Sequence, residues 1–262
     1  MPQSFYDTLA DYYDELFPPE DEIVERLVGL FGDHHTGGAP DGGDAQGQPS
    51  ILDVACGTGT YTDALVRRGF ACHGMDGDPA MVERAKATKR GTYEVRRMED
   101  LGKPPKPPGA PYAGAFCVGN SLPHLPDHET LRSVVADIHA VLREGAPFLV
   151  QVVNFTRFAG YDALRELPPI RREAITMRRR YRSIPEDPEH VSFEVTLHPS
   201  GAEEPVTAAT KLLVVDPQEL ADALRGAGFS VSPPAGGFAG EFFNREESFV
   251  VVLTASRTRR RG

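Results

Sequence analysis

The sequence has no tryptophan, only three cysteines and no long apolar run. The missing tryptophan excludes nothing by itself. Cys56, Cys72 and Cys117 lie in or beside apolar runs, not at the loop spacings of a disulfide framework, which fits a reducing cytoplasm. No stretch approaches the roughly 18 uninterrupted apolar residues of a membrane-spanning helix. The start, Met-Pro-Gln-Ser-Phe-Tyr-Asp, lacks the charged and apolar regions of a signal peptide. Basic residues are in short supply: 28 Lys and Arg stand against 38 Asp and Glu, a formal charge of −10. That balance argues against broad binding to a phosphate backbone. It does not exclude a small nucleotide-like ligand held by backbone groups. The expectation is a soluble, cytoplasmic, globular protein whose 262 residues can bury a core without staples.

Two segments read as loops. Residues 34–50 hold five glycines and almost no large apolar side chains, so they bury too little to offset the entropy of ordering. Residues 103–111 carry five prolines and predict a semi-rigid surface excursion. Residues 1–33 precede the first loop as a helical piece, and 257–262 read as a solvated basic tail. Between the loops, strands alternate with helices. Ser50–Ala55, Phe70–Met75, Thr92–Val95, Ala113–Val118 and Phe148–Val153 are the strands. Thr60–Arg68 and a segment seeded at Pro79 read as helices. The clearest helix carries Leu131, Val134, Val135, Ile138, Val141 and Leu142 at i, i+3, i+4, i+7 spacing. This rhythm predicts an α/β, doubly wound, mostly parallel sheet over residues 51–154.

The rhythm changes over 155–215. Arg178–Ser183, Val191–His198 and Ala208–Val215 read as strands without helices between them, an antiparallel insertion that either covers the main sheet or forms a dimer contact. Residues 216–256 then complete the core. Asp216-Pro217-Gln218-Glu219 is a capping box, and the last strand is expected at Ser248–Thr254.

Chemistry concentrates in Asp53-Val54-Ala55-Cys56-Gly57-Thr58-Gly59. A strand running into a glycine turn and a helix aims backbone N–H groups at a ligand over the strand end. A plain tight turn is the alternative. The third glycine of a dinucleotide fingerprint is absent, because Thr62 stands three residues after Gly59. A phosphate-free ligand does not need it. Asp53 is placed to accept from a cationic or amino group. Asp76 ends the second strand, 17 residues after Gly59, where an acid accepts both hydroxyls of a ribose. Asp78, before Pro79, is the better helix cap. Met81 either packs on an adenine face or belongs to the core.

Asp53, Gly57, Gly59 and Asp76 together resemble the first two motifs of class I S-adenosylmethionine (SAM) dependent methyltransferases. Residues 5–14 (FYDTLADYYD) look like the N-terminal cover helix of bacterial members. Gly119-Asn120-Ser121-Leu122-Pro123-His124-Leu125 resembles the strand-four motif of glycine and sarcosine N-methyltransferases, and Gln151-Val152-Val153-Asn154-Phe155 their strand-five end. The likeness spans roughly residues 5–256. It implies a Rossmann-like seven-stranded sheet with an N-terminal helical cover. It also implies a SAM site built from Asp53, Ala55, Gly57, Thr58, Gly59, Asp76, Gly77, Met81 and Gly119, with adenine read by Met98 or Glu99. Many relatives carry Asp where this chain has Arg97.

On the acceptor side the resemblance implies that Asn120, His124 and Asn154 orient the substrate under a cover that includes Tyr6, Tyr12 and Tyr13. His124 is the candidate to take a proton from an amine. His124 and His128 as a metal pair are disfavoured, since Pro126 lies between them and no third ligand is near. Glycine N-methyltransferases carry an arginine just before the strand-five asparagine to grip a carboxylate; here that residue is Val153, and Arg157 with one of Arg178–Arg180, Arg180 above all, would have to replace it. The expectation is a methyltransferase for a small-molecule acceptor, with N-methylation favoured and neither nucleic acid nor membrane as partner. A homodimer is one arrangement the inserted strands allow. An O-methyltransferase, a non-catalytic SAM-binding protein and a nicotinamide-dependent oxidoreductase are the alternatives; the last lacks both the third glycine and a Tyr-x-x-x-Lys pair.

Overall fold

In the computed structural model, residues 3–32, 50–158 and 165–258 are described. The loop expected at 34–50 therefore lies outside the described residues except for Ser50, as does most of the basic tail.

The chain opens with two helices, α1 (Gln3–Leu16) and α2 (Asp21–Gly32). The core follows as β1 (Ser50–Val54), α3 (Thr60–Arg67), β2 (Ala71–Asp76), α4 (Pro79–Thr88), β3 (Thr92–Val95), β4 (Gly114–Cys117), α5 (His128–Val141) and β5 (Pro147–Val153). An insertion contributes β6 (Arg165–Glu166), β7 (Ile170–Arg171), β8 (Ile175–Ser183), β9 (His190–Pro199) and β10 (Val206–Leu213). Then α6 (Pro217–Ala227), β11 (Phe229–Val231) and β12 (Val250–Arg257) complete the core. The last strand begins two residues later than the sequence predicts and runs on to Arg257, which shortens the expected tail.

Seven strands form one sheet in the order β11-β12-β5-β4-β1-β2-β3. The pairs from β3 to β5 are parallel, while β12 is antiparallel to both β5 and β11. Side chains alternate between two helical layers. Leu52, Val54, Cys117 and Val150 face Leu131, Val135 and Ile138 of α5 and Leu220 and Leu224 of α6. Ile51, Phe116 and Leu149 face Ile23, Leu27 and Phe31 of α2 and Leu65 of α3. All seven residues of β5 are buried, as expected for a strand covered on both faces. Each fully buried Leu, Ile, Val or Phe contributes on the order of 1.5–3 kcal/mol relative to exposure.

The caps fall where the sequence places them. Asp78 accepts from the N–H groups of Ala80 and Met81 ahead of α4, and Asp216 accepts from Gln218 N–H ahead of α6. Among the described residues no helix is long and apolar enough to cross a membrane.

β8, β9 and β10 form a second, antiparallel sheet with β6 and β7 at its edge. One end of its inner face, with Met177, Val195 and Leu197, packs on Leu9 and Leu16 of α1 and Met81 of α4. The other end, with Tyr181, Val191 and Leu212, packs on Val153 and Phe155 at the end of β5. The insertion thus packs over the chain's own core.

Candidate active site

Strand order reverses between β1 and β4, each followed in sequence by a helix or turn that leaves to a different side. Open parallel sheets bind ligands in the crevice beyond the carboxyl ends of such strands. Only two non-glycine residues among those described have positive φ, and they lie just past these two strands: Ala55 (φ 61°) after β1 and Asn120 (φ 66°) after β4. Left-handed backbone in residues with a Cβ is costly and gathers at functional sites.

After Ala55 the chain makes the glycine turn. Gly57 (φ 56°) and Gly59 (φ 77°) supply two more left-handed positions. A Cβ on Gly59 would stand 2.6 Å from the Tyr93 ring, and one on Gly57 would touch the Tyr13 ring at 3.5 Å. The turn is thus enclosed between β3 and α1. Asp76, at the end of β2, accepts from Gly57 N–H through Oδ2 and from Asp78 N–H through Oδ1, both at 2.9 Å. Each carboxylate oxygen is braced by one backbone donor and keeps a lone pair for a ligand. Burial pushes the Asp76 carboxyl above its ordinary pKa.

Asp53 sits beneath the turn, almost fully buried, and accepts from the Thr62 hydroxyl at 2.7 Å. Desolvation, reinforced by the charge of Asp76, raises its pKa to about 7. Its hydrogen bond ties β1 to the first turn of α3. Thr58 is fully buried and donates to Asp14 of α1 at 2.6 Å; Thr60 donates to the same carboxylate at 3.1 Å, and Lys89 pairs with its other oxygen at 2.7 Å. Sequence reasoning missed Asp14, Thr60, Lys89 and Tyr93. Asp14 meets Thr60 and Lys89 across 46 and 75 residues of sequence, and no local pattern announces such contacts.

The expected adenine side is occupied differently. The stem of Arg97 lies against Gly77, 3.3 Å from where a Cβ would stand, and its guanidinium pairs with Glu99 at 2.5 Å. Met98 is half-buried against the α5 layer. Met81 is buried in the cluster between α1 and the cover sheet, the core role that was its alternative reading.

On the acceptor side, Gly119 N–H donates to Gln151 Oε1 at 2.9 Å, and Asn120 Oδ1 accepts from Val153 N–H at 2.7 Å. These bonds staple the mouth of β4 to the end of β5. His124 follows on a short turn (Leu122–His124). Its surface is exposed, yet surrounding atoms desolvate the ring enough to push its pKa below the ordinary value.

Two acceptor-side expectations are corrected. Asn154 is wholly buried, and its side chain is used up by protein: Nδ2 donates to the carbonyls of Arg245 and Ser248 at 2.8 and 3.0 Å, and Oδ1 accepts from Thr156 at 2.5 Å. It fastens the segment before β12 to the end of β5 and is sealed from any substrate by its burial. Arg180 stands on the outer face of the cover sheet, exposed and paired with Glu194 at 2.5 Å, because strand alternation turns it away from the core. Arg157 is half-buried with its guanidinium 5.9 Å from the Phe249 ring centroid. Tyr6 lies in α1, but its side chain is outside the described residues. Among the described residues no three His, Cys, Asp or Glu side chains converge as a metal site.

Residues 51–145 match the methyltransferase domain family model. Over these residues the chain is similar to methyltransferase domains. Over 123 residues it is 30% identical to the glycine/sarcosine N-methyltransferase of Parasynechococcus marenigrum, covering 46% of this chain and 44% of that protein. Human methyltransferase-like protein 27 is 33% identical over 116 residues, covering 44% of this chain and 45% of the relative. The matches thus span less than half the length of these relatives. Among solved structures, the fold is similar to a SAM-dependent methyltransferase from Clostridium acetobutylicum (TM-score 0.76, 12% identity, covering 97% of this chain and 100% of that one). It is also similar to the sugar N-methyltransferase KedS8 from Streptoalloteichus (TM-score 0.67, 17% identity, covering 91% and 87%). The Rossmann-like architecture is shared with these solved structures.

The residues present suit SAM by their donor chemistry. The ligand is a nucleoside with a ribose diol and a cationic sulfonium. The residues on offer are a braced carboxylate at Asp76 beside a glycine turn, with the buried carboxyl of Asp53 beneath it.

Proposed function

We propose that this protein transfers a methyl group from SAM to a small-molecule acceptor, with an amine favoured. The observation that carries this reading is the Asp76 carboxylate, braced by Gly57 and Asp78 N–H beside the strand-order reversal and beneath the Tyr13 ring. Asp76 would hold the ribose, and the turn from Ala55 to Gly59 the methionyl end. Arg97, Met98 and Glu99 would line the adenine side.

SAM supplies an activated methyl group on a good leaving group, so the protein's task is to hold an acceptor lone pair in line and exclude water. The cover helix α1 and the β8–β10 sheet close the crevice from above. The Asn120 amide would orient the acceptor. An amine attacks only when neutral, and His124, whose desolvated ring is neutral at pH 7, takes the proton. The N-methyltransferase names among the relatives support an amine. The three free cysteines suit a reducing cytoplasm. The acidic balance speaks against nucleic acid as a substrate.

Calorimetric titration with SAM and with S-adenosylhomocysteine, on the wild type and on Asp76→Ala, tests the reading. Saturable binding that the substitution abolishes is expected. An unaltered affinity in Asp76→Ala would remove the carrying observation. Cofactor turnover against a panel of small amines and alcohols then separates N- from O-methylation.

A further inference from the structure

β8 presents its arginines to two different surroundings. Met177 and Tyr181 are buried on the face turned to the core, whereas Arg178, Arg180 and Arg182 are exposed on the opposite face. The three outward arginines all have acidic partners. Arg178 lies 3.5 Å from Glu166, and Arg180 and Arg182 lie 2.5 and 3.5 Å from the two oxygens of Glu194. Arg179 is on the inward face between Met177 and Tyr181, directly opposite Val195 of β9.

That position is a seam. Met177 and Val195 belong to the apolar cluster shared with α1 and Met81, and Tyr181 to the one shared with Val153 and Phe155 at the end of β5. Arg179 therefore stands where the cover sheet crosses from the helices over the glycine turn to the strand end beside Asn120. Its Nε is buried without a hydrogen-bond partner among the described residues. Among the described residues it forms no ion pair; burial lowers its pKa, and the nearby Tyr181 acts the other way. A buried N–H without a partner is costly. In a chain with a ten-charge excess of acids, a neighbouring carboxylate would be an easy remedy, and every outward arginine of this strand has one.

We propose that Arg179 is the anion-binding residue of the acceptor site, so that the acceptor carries a carboxylate or phosphate group as well as the atom that is methylated. The guanidinium fork matches either anion with two parallel hydrogen bonds. The anion satisfies Nε, and the grip fixes the far end of the acceptor while its lone pair faces the methyl group. This inference rests on the methyltransferase reading of the crevice.

The test uses the full chain saturated with S-adenosylhomocysteine, at low ionic strength, and titrates three amines: glycine, O-phosphoethanolamine and ethanolamine. The proteins compared are wild type, Arg179→Met, Arg179→Lys and, as a control on the outer face, Arg180→Met. One of the two anionic amines is expected to bind wild type and Arg180→Met alike and ethanolamine far more weakly. Arg179→Met should weaken that binding about tenfold or more, and Arg179→Lys should fall between, keeping the charge but losing the fork. S-adenosylhomocysteine affinity should be the same in all four. Which amine binds distinguishes a carboxylate from a phosphate. The inference is overturned if ethanolamine binds as well as the anionic amines, if neither of those binds, or if Arg179→Met binds them as wild type does. Should Arg179→Met not fold, an anion affinity unchanged in Arg179→Lys overturns it equally. Failure of wild type to bind S-adenosylhomocysteine sinks the methyltransferase reading itself, and this inference with it.

Discussion

The Thr58 hydroxyl, at the centre of the glycine turn, donates to the carboxylate of Asp14 on the cover helix at 2.6 Å. Together with Thr60 and Lys89, this bond makes the docking of α1 depend on the same turn that forms the floor of the crevice. Asp14→Ala is expected to destabilise the fold by about 1–2 kcal/mol, a charged hydrogen-bond network discounted for partial exposure. It should also speed cofactor release. Thermal melts and stopped-flow dissociation measure the two effects. Burial alone would raise the Asp14 pKa, but the bonds from Lys89 and Thr58 outweigh it and hold the carboxyl below its usual value. A depressed pKa gives stability that is present above the unfolded value and lost as the pH falls through the folded one. The latch should therefore fail only below about pH 4.

Asp53 carries the opposite sign. Its folded pKa of about 7 lies well above the unfolded carboxylate range, so the native state holds the extra proton between those limits. Its contribution to stability is complete below pH 4 and is lost as the pH rises through 7. Asp53→Asn keeps an oxygen for the Thr62 hydroxyl and should flatten this slope. Urea midpoints measured from pH 5 to pH 8 in both proteins provide the check.

A cation arriving beside Asp53 and Asp76 favours their charged forms and lowers both pKa values. Binding of SAM near pH 7 should then release protons, whereas S-adenosylhomocysteine, without the sulfonium charge, should release fewer. Calorimetry in buffers of different ionisation enthalpy counts them. Equal release by the two ligands would show that these carboxylates do not sense the sulfonium.

Asn154 should behave as a structural residue. Asn154→Ala leaves the carbonyls of Arg245 and Ser248 without their donor, a loss of about 1–3 kcal/mol. S-adenosylhomocysteine affinity should be unchanged. A normal melting temperature combined with lost turnover would restore it to the acceptor site.

His124→Ala should lower turnover and remove the acidic limb of the pH–rate profile. That limb is expected below pH 6.5, because desolvation depresses the pKa of the ring. An unchanged profile would take the proton-accepting role away from His124.

Local chemistry made most of the fold legible. The periodicity of α5, the Asp-Pro starts of α4 and α6, and the glycine turn after β1 each depend on neighbours a few residues apart. β11 escaped notice because three residues carry no measurable alternation. The site was legible where the turn and the end of β2 define it, at Gly57, Gly59 and Asp76. It was illegible where contacts span long separations, as between Asp14 and Thr58 or Asn154 and Arg245. The three consecutive arginines of β8 show a third limit. Which of them faces inward depends on a register that a one-residue slip reverses, and the sequence alone favoured Arg180 where the structure turns Arg179 to the core.

The position of β12 also bears on how the molecule is made. It lies between β5 and β11, pairing with both, although it is the last strand in the chain. During vector-wise synthesis, five parallel strands leave the ribosome with the flank of β5 unpaired, and the long insertion follows before its partner exists. A bare flank of this kind is a template for association with other chains. The nascent protein must carry it until residues 250–257 emerge, so a stalled or shortened translation product exposes an adhesive edge that the finished molecule keeps inside.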